Sequence, residues 1–162
     1  MGNKANPIAL RLGIVRDWDS VWFANKDYAS LVYEDFIIRN YMKKEISRAG
    51  LSKVLIKRKP GLVEVSAYVA RPGMILGKGG TSTAFFNKEL SSLLKKDVRV
   101  DILEQSDPEA NARLITEWVA GQLEKRIPFR RAMKMAIQKA FKAGAKGIRI
   151  ACAGRLGGVE IA

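Results

Sequence analysis

The run Ile75-Leu76-Gly77-Lys78-Gly79-Gly80 follows a β-like segment and precedes a helical one, and it constrains the fold more than any other feature. A Gly-x-x-Gly turn closes tightly because no Cβ restricts the backbone. The same bareness lets a nucleic-acid backbone approach the protein main chain. Lys78 adds positive charge at the tip, where phosphates would pass. Other phosphate-binding glycine motifs fail on spacing. A phosphate loop reads Gly-x-x-x-x-Gly-Lys-Ser/Thr, whereas Gly73 stands too close to Gly77-Lys78 and Gly79 replaces the magnesium-binding hydroxyl. The dinucleotide fingerprint fails because Ser82 occupies its last glycine position. This is not an ATP site.

The electrostatics point the same way. Among 162 residues, 29 Lys and Arg face 16 Asp and Glu, a formal charge of +13. Such an excess favours a polyanionic partner, since each neutralised phosphate releases condensed counterions. Histidine is absent, which removes the usual general base, the Ser-His and Cys-His nucleophile pairs and the commonest zinc ligand. Neighbouring carboxylates such as Asp17 and Asp19, or Glu34 and Asp35, have no catalytic companions in the pattern. Met133 and Met135 read as core filler rather than metal ligands. No metal, cofactor, small-molecule substrate or membrane partner is expected. The lone Cys152 excludes an internal disulfide framework and suits a reducing compartment. Asn3, Lys4, Asn6 and Arg11 interrupt any apolar run at the start, so no secretory signal is expected.

Residues 1–25 show no periodicity and read as an extended arm with Trp18, Trp22 and Phe23 near its end; Trp18 and Trp22 are expected to pack on the first helix. Asp27 is placed to cap a helix running to about Ala49, stopped by Gly50, with Tyr33, Phe36, Ile37, Tyr41 and Ile46 on its apolar face. Val54–Lys59 and Leu62–Val69 read as a hairpin about Pro60-Gly61, and Val63, Val65, Ala67 and Val69 define a buried face. A short helical turn leads into the glycine run. Thr81 to about Leu94 then forms a helix burying Phe85, Leu90 and Leu93 or close neighbours, and Val98, Val100 and Ile102 mark a third strand. This order of helix, strand, strand, short helix, helix and strand resembles a type II KH domain, an α+β RNA-binding unit over residues 26–106.

A second unit spans 107–162. Asp107 and Pro108 suit the cap and first position of a helix to about Arg126, with Leu114, Trp118 and Leu123 facing inward. Pro128 breaks it, and another helix runs from Phe129 to about Ala143, ended by Gly144. At 100° per residue, Arg130, Arg131, Lys134, Gln138 and Lys142 cover about a third of its circumference, opposite Met133, Ala136, Ile137 and Ala140. A charged stripe is often only the solvated side of an amphipathic helix. Here no acidic residue interrupts it, and Lys125 and Arg126 lie just upstream, so the local field should attract phosphate. Ile148, Ile150 and Cys152 alternate as in a strand, Gly154 to Gly158 read as a turn, and Val159–Ala162 as the start of another strand. One or two strands make a poor sheet for two helices, so this α/β unit is expected to be truncated.

Several blocks together identify a family. Asn6-Pro7-Ile8-Ala9-Leu10-Arg11-Leu12-Gly13-Ile14, Trp18-Asp19-Ser20, Trp22-Phe23-Ala24, Ala70-Arg71-Pro72-Gly73, Phe129-Arg130-Arg131-Ala132-Met133-Lys134 and Gly154-Arg155-Leu156-Gly157-Gly158 resemble the bacterial-type S-three family of small-subunit ribosomal proteins across nearly the whole chain. The resemblance implies a place in the head of the small subunit, contact with small-subunit rRNA and neighbouring head proteins, and a share of the mRNA entry channel. It assigns Arg130, Arg131 and Lys134 to gripping and helping unwind mRNA, with Lys125, Arg126, Lys142 and Arg155 nearby. Gly77, Lys78, Gly79 and Gly80 match the family's KH loop, with Arg71 just before it. Lys4, Asn6, Arg11 and Arg16 are expected to bring the arm onto rRNA. Gly79 stands where a second lysine is common, and Met135 where an arginine is frequent. The family normally continues with further strands, and the intact arm suggests synthesis in the compartment of use, cytoplasm or organelle matrix. The alternative is a free-standing KH-type single-stranded RNA binder or RNA chaperone; the enzymatic alternative is a lysine-dependent DNA-lesion lyase.

Overall fold

The computed structural model describes residues 4–76 and 81–158. Its centre is a four-stranded sheet in the order β1-β2-β3-β4. Strand β2 (Leu51–Lys59) and strand β3 (Leu62–Val69) form the expected antiparallel hairpin, with Lys59 opposite Leu62. Gly61 takes a φ of +78° at the turn, where a side chain would be strained. Strand β4 (Asp97–Glu104) lies parallel to β3, from Leu62 opposite Asp97 to Val69 opposite Glu104. Sequence periodicity missed β1, the pair Ser20–Val21, which joins the arm parallel to β2 at Ile56 and Lys57. Two residues are too few to show a period.

Helices α1 (Tyr28–Ile46) and α3 (Thr81–Leu94) cover one sheet face, and the short α2 (Gly73–Leu76) precedes the glycine run. The core joins Ile38, Met42 and Ile46 to Ile56, Val65, Val69, Phe86, Leu90 and Val100. The α1 stripe differs from the expected one. Its buried positions are Asp35, Ile38, Met42 and Ile46, while Tyr33 and Phe36 are 65% and 59% exposed. Hydropathy misplaced the stripe because a carboxylate, Asp35, occupies one inward position. On α3, Phe86, Leu90 and Leu94 are buried and Phe85 and Leu93 are exposed, a one-residue rotation of the outer pair. Asp27 makes no side-chain cap. A 3-10 turn, Ser47–Ala49, finishes the first helical segment before Gly50, whose φ of +76° ends it. Of the two arm tryptophans, Trp22 docks on α1 and Trp18 is largely exposed.

The helix expected from Asp107 and Pro108 starts later. Pro108–Ala110 is a separate 3-10 turn, and the cap of α4 (Ala112–Glu124) is Asn111. Its Oδ1 accepts from the Arg113 and Leu114 N–H groups at 3.1 and 3.4 Å, while its Nδ2 donates to Ser52 Oγ at 2.8 Å. One side chain thus ends a helix and ties it to β2. Helix α5 (Phe129–Lys142) lays Ala132, Ala136 and Ala140 inward, the last two against Ile115 and Val119 of α4. Small side chains permit that close approach. Ile148, Ile150 and Cys152 pack against this cluster in the expected alternation, but residues 147–153 form no strand. No strand lies beside them among the described residues, so the pattern supplies burial without a ladder. Leu156–Gly158 is the expected turn, in 3-10 form; Val159–Ala162 lie outside the described residues.

Candidate nucleic-acid interface

Which of the cations are free to meet a ligand depends on their partners. Arg58 is not free. Its side chain is 8% exposed, and Nη2 and Nη1 reach Asp35 Oδ1 and Glu34 Oε2, each at 2.6 Å. Trp22 Nε1 donates to the other Asp35 oxygen at 2.9 Å, and Lys96 Nζ pairs with Glu34 at 2.6 Å. Arg39 is likewise committed, donating to the Val54 and Asp19 carbonyls and to Ser20 Oγ, which holds β1 in place. The carboxylates Glu34 and Asp35 therefore serve as a structural anchor. Charge counting alone does not separate these internal cations from ligand-facing ones.

The α4–α5 corner has the opposite character. Lys125, Arg126, Arg130, Arg131, Lys134, Gln138 and Lys142 are all exposed. None of those six cations makes an ion pair among the described residues. Helix α5 does contain one paired lysine, Lys139, which sits 3.9 Å from Glu109 and 4.4 Å from the centre of the Trp118 ring. The division follows the helical period: Lys139 lies beside the packed alanines, and the others lie on the outer arc. Arg126 turns the corner in the left-handed region at φ +60°, its N–H donating to Leu123 O at 2.9 Å. Arg130 lies 5.7 Å from the ring centre of Phe129.

The remaining candidates are dispersed. Arg71 is exposed just after β3, with its N–H donating to Ala49 O at 3.1 Å. Gly77, Lys78, Gly79 and Gly80 lie outside the described residues, between α2 and α3. On the arm, Lys4, Asn6, Arg11 and Arg16 are exposed. Asn6 and Arg11 also shape the arm locally: Asn6 Oδ1 accepts from Ile8 N–H at 2.9 Å, and Arg11 Nη1 donates to Pro7 O at 2.8 Å. Arg155 is exposed in the last described turn. The structure thus gathers the α4–α5 cations into one surface and leaves the arm residues, Arg71 and Arg155 apart from it in sequence and element. Among the described residues no His, Cys, Asp and Glu cluster has metal-binding geometry, and no helix is long and apolar enough to cross a membrane.

A mixed sheet backed by α1 and α3, a short helix just before the glycine run in sequence, and a basic helix surface without ion pairs among the described residues define a KH-domain RNA-binding protein with an appended helical unit. Comparison with known proteins agrees. Residues 37–110 match the KH domain, and residues 119–162 match ribosomal protein S3, C-terminal domain. The small ribosomal subunit protein uS3 of Geobacter sp. (strain M21) is 50% identical over 161 residues, covering 99% of this chain and 76% of the relative. That of Ehrlichia canis (strain Jake) is 49% identical over 162 residues, 100% of this chain and 77% of the relative. That of Gluconobacter oxydans (strain 621H) is 51% identical, covering 100% and 72%. The chain belongs to the ribosomal protein S3 family, and it is a structural ribosomal protein rather than an enzyme.

Proposed function

We propose that this protein works in the head of the small ribosomal subunit, where it binds small-subunit rRNA, touches neighbouring head proteins and lines the mRNA entry channel. Three parts divide the work: an arm over residues 1–25, a KH unit over 26–106 and a C-terminal unit over 107–162. The arm (Lys4, Asn6, Arg11, Arg16) and the KH loop (Gly77 to Gly80 with Lys78, preceded by Arg71) hold rRNA. Arg130, Arg131 and Lys134, supported by Lys125, Arg126, Lys142 and Arg155, face mRNA.

The observation that carries this reading is the outer arc of α5, where exposed cations have no carboxylate partner among the described residues while the inward Lys139 has one. Unpaired cations keep their full attraction for phosphate, whereas paired ones must first lose a partner. Lys and Arg dominate the surface, which suits phosphate neutralisation and shape recognition rather than base reading. In this arrangement the helix itself does no chemical work. It holds single-stranded phosphates as the moving ribosome pulls mRNA past, so strands that separate are kept from re-pairing. The site of action is the ribosome, in the cytoplasm or an organelle matrix.

The triple variant Arg130→Ala, Arg131→Ala, Lys134→Ala tests the division of labour. It is expected to slow translation through structured mRNA while subunits still assemble. Collapse of assembly would instead assign these side chains to rRNA docking.

A further inference from the structure

Where the KH unit meets the C-terminal helices there is a pocket of about 550 Å³, lined by residues that include Arg48, Gly50, Arg71, Leu114, Trp118 and Lys139. Two separate chain segments bring the arginines to it. Arg48 sits in the 3-10 turn after α1, and Arg71 follows β3. The segments are bonded to one another: Ala70 N–H donates to Gly50 O at 2.9 Å, and Arg71 N–H to Ala49 O at 3.1 Å. The floor is closely packed as well. A Cβ at Gly50 would meet Ala70 Cβ at 3.2 Å and Leu114 Cδ2 at 3.3 Å, so the KH unit and α4 touch closely there.

The charges of the pocket do not cancel locally. Its two carboxylates are already engaged, Glu109 with Lys139 at 3.9 Å and Glu117 with Arg113 at 3.5 Å. Arg48 and Arg71 are exposed, and among the described residues neither side chain has a hydrogen-bond or ion-pair partner. Two guanidinium forks lining one concave surface offer the paired N–H donors that phosphate oxygens accept. An exposed arginine alone means little. Here the backbone fixes both attachment points, and the pocket lies between two RNA-binding units.

We propose that this junction is a further phosphate site, in which Arg48 and Arg71 clamp the rRNA backbone across the two units; it rests on the rRNA-binding reading above. The clamp would make RNA binding report on the docked arrangement of both units.

The test uses the full chain and transcribed small-subunit rRNA, with affinity measured across a series of KCl concentrations. The double variant Arg48→Gln, Arg71→Gln is compared with the arm variant Lys4→Gln, Arg11→Gln, Arg16→Gln, whose side chains are assigned to rRNA above. Losing two phosphate contacts should flatten the plot of log affinity against log salt by about 1.4–1.8. Affinity at low salt should fall about tenfold or more, with an unchanged melting temperature. If the double variant keeps the parent slope while the arm variant flattens it, the junction site is wrong and the wider RNA reading stands. No change in either variant removes the RNA reading itself. Inorganic phosphate and hexaglutamate serve as competitors. Phosphate that displaces rRNA from the parent, but not from the double variant, supports the clamp. Hexaglutamate binding at the junction with rRNA affinity untouched by the double variant would mean an acidic protein segment fills it, overturning the proposal.

Discussion

Arg58 shows what a single residue does in a strongly cationic chain. Three side chains converge on its guanidinium neighbourhood, Asp35, Glu34 and, through Asp35, Trp22, so the charge links β2, α1 and the arm. Breaking a buried pair leaves an uncompensated charge and typically costs about 3–5 kcal/mol. Arg58→Leu should therefore lower the urea midpoint sharply, and an unchanged midpoint would show that the pair adds nothing. This anchor was hard to read beforehand, because hydropathy counts Asp35 as outward and cannot see a partner 23 positions away. Tyr41 gives a pH handle on the same core. Burial, and then its hydrogen bond to Glu89, push the Tyr41 hydroxyl well above the ordinary tyrosine value. The folded state thus prefers neutral Tyr41. Its stabilisation is complete below pH 10, the ordinary value, and fades as pH rises toward the folded one. Denaturation between about pH 10 and 12 should show a decline in stability that Tyr41→Phe reduces.

At the scale of elements, β4 illustrates how the sheet edge is controlled. It is the last strand of the sheet, and an open edge invites pairing with another chain. Helix α3 closes part of it: Asn87 Oδ1 accepts from Val100 N–H at 2.7 Å, and Ser91 Oγ accepts from Val98 N–H at 3.2 Å. The double variant Asn87→Ala, Ser91→Ala should expose those donors and produce concentration-dependent association in sedimentation velocity, whereas the parent stays monomeric. Asn111 sets the start of α4. Asn111→Ala should cost about 1 kcal/mol, and Asn111→Asp should recover part of that, since it keeps the capping oxygen but loses the donor to Ser52; equal melting temperatures for all three would contradict this. Strand periods, the hairpin turn and the four long helices were legible in sequence because each spans enough residues to repeat. The two-residue β1 was not, nor was the cap, since Asp107-Pro108 and Asn111 both carry start signals and only the packing against Ser52 separates them. Residues 147–153 show the converse: a real alternation that places side chains correctly without any neighbouring strand.

For the whole molecule, charge is sorted by location rather than spread evenly. Cations needed for architecture, Arg39 and Arg58, lie at the arm–α1–β2 junction, while those on the α4–α5 corner are exposed and make no ion pair among the described residues. Gly50 lies close against Leu114 and Asn111 Nδ2 donates to Ser52 Oγ, so the start of α4 docks on the sheet unit. Family membership and the basic face of α5 were both legible in sequence, the first through blocks spread along the chain and the second through helical period. The junction between the units was not, because its parts, Arg48, Arg71 and Trp118, are brought together only by tertiary contact. The most direct test of the account is sedimentation of the full chain with small ribosomal subunits over rising salt. An integral rRNA-bound protein should stay with the subunits after a high-salt wash. Release at moderate salt would contradict that and point to a free-standing RNA binder.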